Sequence, residues 1–168
     1  MLQSLSSQAA ISIENARLYG NLEALNRSYA RFVPVEFLQM LDRRSITDVK
    51  LGDQVQRHMS VLFSDIQGYT SLSERMTPEE NINFINAYLK MMEPVLHNHF
   101  GFIDKYIGDA IMALFPRTPA DAVRAAVEML STLKTYNEKL GGAPLGVSIG
   151  INTGNLMLGV VGGTDRLD

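Results

Sequence analysis

The sequence contains no cysteine and no tryptophan. Without thiols there are no disulfides and no thiolate metal sites, which suits a reducing compartment. No apolar run approaches the roughly 20 residues that cross a bilayer. The N-terminus lacks the basic, apolar and small-residue succession of a secretory signal. Charge of one sign is scarce as well: 15 Lys+Arg against 18 Asp+Glu leave a net charge of −3. That mild acidity gives no electrostatic reason to expect nucleic-acid binding. These absences together predict a cytoplasmic chain, with any membrane tether supplied by a segment upstream of it. What is present is a length of 168 residues with 46% hydrophobic content, enough for one domain with a sizeable core plus an appendage.

The appendage comes first. Residues 1–33 have helical character, and Leu18, Leu22, Leu25, Tyr29 and Phe32 follow one another at steps of 4, 3, 4 and 3, as in a coiled-coil seam. Leu2, Leu5, Ala9 and Ala16 fit a different register, which places a stutter near Ala16. The stripe can pack on its own domain or on a second copy. A parallel dimer helix is preferred, because no other local element is available to cover it. Pro34 then interrupts the helix and suits the first turn of another over 35–41. Polar residues 42–56 form a connector. The expected organisation is therefore a helical linker at 1–33, a connector at 34–56 and a main domain at 57–168.

The main domain is organised around Ser60-Val-Leu-Phe-Ser-Asp-Ile-Gln-Gly-Tyr-Thr70. Val61, Leu62 and Phe63 form a short strand that ends at Asp65. Gly68 permits a tight turn before the polar run at Thr70, Ser71 and Ser73. A carboxylate at a strand end can hold Mg²⁺, and backbone N–H groups opening the next helix can receive phosphate oxygens. A second stretch, Phe102-Ile-Asp-Lys-Tyr-Ile-Gly-Asp-Ala-Ile-Met-Ala-Leu-Phe115, has two apolar runs flanking Gly108-Asp109, a two-residue hairpin turn.

Between these stretches, Thr77-Pro-Glu-Glu80 is a capping-box pattern. It opens a long helix carrying Ile82, Ile85, Tyr88, Leu89, Met92, Val95 and Leu96 on one side, with Pro94 as a bend point and Gly101 as its stop. His97 and His99 lack an acidic or cysteine partner at ligand spacing and are solvated or packed histidines. Pro119-Ala-Asp121 opens another helix, stopped at Gly141-Gly142. Residues 145–151 form a strand, Asn152-Thr-Gly154 a turn, and 156–161 a further strand.

The resulting fold class is α+β: a ferredoxin-like βαββαβ core behind an N-terminal signalling helix. In that topology each crossover is right-handed, so the third strand fills the gap beside the first and runs antiparallel to it. The start of the third strand then lies next to the end of the first. Asp109 stands at that start and Asp65 at that end, so the two carboxylates converge at one sheet edge. Taken singly, Asp65 suits a helix cap and Asp109 a turn. Their convergence beside a glycine turn favours a cation site, because neighbouring carboxylates repel unless protonated or neutralised.

The segments FSDIQGYT, FIDKYIGDAIMALF and VSIGINTG together resemble the core of class III nucleotidyl cyclases, over about 31–168. The N-terminal SQAAISIENARLY resembles the last helix of a GAF sensor domain, which implies an upstream sensor. The cyclase resemblance implies conversion of a nucleoside triphosphate to a 3′,5′-cyclic nucleotide and pyrophosphate. It implies two Mg²⁺ (or Mn²⁺) ions on Asp65, Asp109 and the Ile66 carbonyl, and terminal phosphates on the backbone around Gln67, Gly68, Tyr69 and Thr70. It further implies that Lys105 reads the purine. Adenylate cyclases typically carry Lys there and guanylate cyclases Glu. A lysine can donate to adenine N1, whereas guanine N1 carries a proton, so Lys105 predicts ATP.

The family works as a head-to-tail homodimer with shared sites. Its second specificity residue and its transition-state Asn and Arg lie downstream of Arg166-Leu-Asp168. The expectation is therefore an adenylate cyclase domain for intracellular signalling, inactive or nearly so as this chain alone. The alternative is a non-catalytic regulatory or dimerisation module on the cyclase fold. A diguanylate cyclase ranks below both, because no Gly-Gly-Asp/Glu-Glu-Phe motif is present.

Overall fold

The structure, a computed structural model, describes residues 2–29, 32–140 and 144–163. The predicted Gly141-Gly142 helix stop and the Arg166–Asp168 segment lie outside the described residues, as do the side chains of Leu2, Leu5 and Ala9. The chain divides into two compact units, residues 1–49 and 50–168.

The first unit contains α1 (Leu2–Tyr29), α2 (Val35–Met40) and a 3₁₀ turn at Ile46–Asp48. Pro34 stands at the N-cap of α2. Ser45 and Asp48 close a capping box around the 3₁₀ turn. Leu18, Leu22, Leu25, Tyr29 and Phe32 all remain exposed. None of the described helices is long and apolar enough to cross a membrane.

The second unit runs β1 (Gln54–Ile66), α3 (Tyr69–Ser73), α4 (Pro78–Asn98), β2 (Phe102–Ile107), β3 (Ala110–Phe115), α5 (Pro119–Leu140) and β4 (Val147–Gly159). The sheet order is β2-β3-β1-β4. Every neighbouring pair is antiparallel, as the βαββαβ order requires. Ser60, Leu62, Ser64 and Ile66 alternate inward along β1, while Phe63 and Asp65 stay exposed. The inward residues pack with Tyr88, Met92 and Leu96 of α4, Ile111, Ala113 and Phe115 of β3, and Ala125 and Met129 of α5. Both long helices therefore cover one sheet face, and the odd-numbered end of β1 faces the other way.

The capping box at α4 forms as its sequence predicts. The Thr77 hydroxyl accepts from the Glu80 N–H at 3.3 Å, and Glu80 Oε2 accepts from the Thr77 N–H at 2.8 Å. The Thr77 N–H, together with the Thr77 hydroxyl donating to Glu80 Oε2 at 2.9 Å, lowers the Glu80 pKa. Thr77→Ala is expected to destabilise the domain by about 1 kcal/mol and to lower its Tm by roughly 2–4 °C, measurable by thermal circular dichroism.

Two expectations are corrected. Residues 152–154 form no turn, since β4 is one continuous strand of 13 residues paired along the whole of β1. Thr153 lies opposite Ser60, and their hydroxyls bond at 2.7 Å. The turn-forming composition of Asn-Thr-Gly is overridden by a partner strand of the same length. That pairing also starts β1 at Gln54, ahead of the expected position 57. Second, His99 has an acidic partner. Its Nε2 lies 2.6 Å from Glu128 Oε2, because α4 packs beside α5. His97 stands 3.8 Å from Glu93, one turn away. Among the described residues, no group of three or more His, Cys, Asp or Glu side chains could hold a metal.

Candidate active site

The site begins with strand register. Ser64 pairs with Ile111 at the last rung of the β1–β3 ladder, which leaves Asp65 one residue beyond that rung and the start of β3 one residue before Ile111. Gly108, at φ +64°, makes the hairpin turn that places Asp109 just before β3. Asp109 Oδ2 accepts from the Ile66 N–H at 3.1 Å. The neighbouring Asp109 side chain pushes the Asp65 pKa up, first through hydrogen bonding, then with smaller contributions from desolvation and from the Asp109 charge. Just beneath, Ser64 Oγ and Tyr88 OH bond at 3.1 Å. Burial pushes the Tyr88 hydroxyl up, the Ser64 bond opposes that, and both carboxylates add to it.

Two neighbouring carboxylates repel one another unless protonated or neutralised, and a divalent cation neutralises both. Two protein carboxylates do not make a closed cage. They fit Mg²⁺, which keeps waters and substrate phosphates among its ligands, better than an all-protein site.

The turn after β1 lies alongside. Gly68 adopts φ +68° at the N-cap of α3. A helix opening of this kind leaves its first N–H groups without intrahelical acceptors. Of the four positions expected to offer backbone N–H groups, Gln67 donates its own to Gly146 O at 2.9 Å. The Tyr69 side chain turns away: its hydroxyl donates to Asn81 Oδ1 at 2.6 Å, and its ring stacks on Phe84 with centroids 6.4 Å apart. Any contribution of Tyr69 to a ligand at the turn is therefore through its backbone. Thr70 is exposed.

Lys105 lies in β2 opposite Met112 of β3, which in turn lies opposite Phe63 of β1. Directly paired residues share a sheet face. Lys105, Met112 and Phe63 therefore form one row across the open face, and Asp65, two residues beyond Phe63, lies on that same face. The pairing slips between Ile103 and Lys105, leaving Asp104 as the extra residue of a bulge. Lys105 Nζ stands 4.0 Å from Asp104 Oδ2.

The sequence did not single out Phe63. Its signal was parity, since 63 and 65 fall on one side of a strand whose even positions are buried. It offers apolar surface between Lys105 and the carboxylates and is 45% exposed.

Residues 52–167 match the family model of the adenylate and guanylate cyclase catalytic domain. The chain is 40% identical over 168 residues to an adenylate cyclase of Anabaena cylindrica, covering 95% of this chain and 33% of that protein. It thus spans about a third of that relative's length. The crystal structure of the guanylyl cyclase Cya2 superposes with a TM-score of 0.59 at 37% identity, over 70% of this chain and 64% of that one. A bacterial light-regulated adenylyl cyclase shares the fold, with a TM-score of 0.78 at 21% identity over 92% of this chain and 47% of that one.

Proposed function

The chain belongs to the adenylate and guanylate cyclase catalytic domain family, and from that premise we propose that its site converts ATP to 3′,5′-cyclic AMP and pyrophosphate. The observation that carries this is the juxtaposition of Asp65 and Asp109 at the end of β1, where Asp109 Oδ2 accepts from the Ile66 N–H at 3.1 Å. Asp65, Asp109 and the Ile66 carbonyl would hold two Mg²⁺ or Mn²⁺ ions. When bound, these ions supply Lewis acidity to the ribose 3′-hydroxyl and charge neutralisation to the triphosphate. The backbone N–H groups of Gly68, Tyr69 and Thr70 receive terminal phosphate oxygens, the Gln67 N–H being committed to Gly146 O. In the reaction the 3′-oxygen bonds to the α-phosphorus, the bond to the β-phosphate oxygen breaks, and the 3′-proton leaves to solvent. Lys105 donates to adenine N1 and orients the base. Its place on the face of Asp65 supports a single nucleotide reaching both.

The relatives include cyclases named for either base, so the assignment to ATP rests on Lys105. The homodimer that the family resemblance implies would join copies of the parent protein through α1 and through the cyclase units, with a sensor upstream. Binding of ATP followed by calorimetry tests the proposal. Affinity should depend on Mg²⁺ or Mn²⁺ and vanish in chelator. Equal affinity in chelator would remove the cation site from the account.

A non-catalytic dimerisation module is the second reading, favoured by the exposed Leu18, Leu22, Leu25 and Tyr29 stripe on α1. Self-association without nucleotide affinity would select it.

A further inference from the structure

The turn between β1 and α3 is gripped from outside by the beginning of β4. Asn137 of α5 pairs with the backbone of Leu145 in both directions. Its Nδ2 donates to Leu145 O at 2.8 Å, and its Oδ1 accepts from the Leu145 N–H at 2.8 Å. A side-chain amide used this way acts like one rung of a strand ladder and fixes residue 145. The next carbonyl, Gly146 O, accepts the Gln67 N–H at 2.9 Å, extending the β1–β4 pairing one rung beyond Ile66–Val147. The Gln67 side chain then folds back across Gly146. Its Nε2 donates to Ser148 Oγ at 3.2 Å and lies 3.5 Å from Val147 O. Gly146 makes this crossing possible, since a Cβ there would stand 2.5 Å from Gln67 Oε1 and 3.0 Å from its Cδ. On the far side, Asn81 and Phe84 hold the Tyr69 side chain. The turn is thus clamped at both ends, with Gly68 between them.

We propose that Asn137, Gly146 and Gln67 form a bracket that presets this turn for a terminal phosphate group. Gln67 and Asn137 are then positioning residues, not nucleotide contacts. The proposal rests on the cyclase-site reading above and deepens it. The Gln67 amide already donates within the protein, so its side chain serves the ligand by holding backbone N–H groups in place. A group held before the ligand arrives need not be ordered by it, and affinity rises accordingly. The benefit falls on the phosphate end of the nucleotide alone.

The test is competition of ATP, ADP and AMP against a fluorescent ATP analogue in Mn²⁺, with wild type, Gln67→Ala, Gly146→Ala, Asn137→Ala and the double variant Gln67→Ala/Gly146→Ala. Each single variant should weaken ATP by about tenfold and leave AMP unchanged, while melting temperatures confirm folding. The Gly146 methyl acts by displacing the Gln67 amide, so the double variant should be no weaker than Gln67→Ala. Equal losses for ATP and AMP, unchanged ATP affinity, or additive losses in the double variant would overturn the bracket. Wild-type protein that binds no ATP would instead overturn the cyclase-site reading on which it rests.

Discussion

Asp109→Ala is expected to lower cation-dependent ATP affinity by on the order of 10³-fold, and Asp65→Ala to do the same. A bound cation contributes several kcal/mol to holding a triphosphate, and each 1.4 kcal/mol is about tenfold in affinity. Asp109 does two jobs: its charge stands beside Asp65, and its Oδ2 accepts from the Ile66 N–H. Alanine removes half of the charge that attracts the cation and the acceptor that fixes the end of β1. Calorimetric titration with Mn²⁺ and ATP reads the effect. Affinity within about threefold of wild type, a change under 1 kcal/mol, would show that the pair does not hold the cation.

The same pair makes a stability prediction of opposite sign. The folded-state pKa of Asp65 is raised, so its contribution to stability is present at low pH and lost as pH rises through that raised value. At neutral pH without divalent ions the pair is strained by repulsion. Asp65→Asn should therefore raise Tm at pH 7 in chelator, by no more than about 3 °C because the group is exposed. The stabilisation that Mg²⁺ gives to wild type should disappear in the same variant. A lower Tm in chelator would contradict the repulsion.

Lys105→Glu is the second large effect. It should weaken ATP by about 10–100-fold and strengthen GTP, moving the ATP-to-GTP ratio by more than either change alone. A hydrogen bond from a charged donor contributes about 1.5–3 kcal/mol. Replacing the donor by a carboxylate leaves adenine N1 facing another acceptor, whereas guanine N1–H gains one. Competitive binding of both nucleotides measures the ratio. A variant that weakens both bases equally would make Lys105 a solvated surface lysine and return the choice of base to the open question that family membership leaves.

The carboxylate pair was legible because it depends only on strand order and on the ends of strands. Once Val61–Phe63 and Ala110–Phe115 are strands in a βαββαβ order, handedness brings Asp65 and Asp109 together whatever the exact boundaries. The helix starts at Thr77 and Pro119 were equally local, since caps and prolines announce themselves within a few residues. What escaped depended on partners distant in sequence. The Asn152-Thr-Gly154 segment carries the residues of a turn, and only the length of β1 makes it strand. Glu128 lies 29 positions from His99, so no ligand spacing could connect them. Phe63 had a usable signal in its shared parity with Asp65. Gln67 was named as a phosphate contact, but the path of its side chain had no local signal, since it is directed by a missing Cβ at Gly146, on the far side of α5 in sequence.

A crystal of this protein grown with Mn²⁺ and a non-hydrolysable ATP analogue, with anomalous scattering to locate the metal, tests the central claim most directly. The account predicts manganese between the carboxylates of Asp65 and Asp109, with the triphosphate over the Gln67–Thr70 turn and the adenine towards Lys105. Manganese bound elsewhere, with both carboxylates free of metal in the presence of nucleotide, would contradict it.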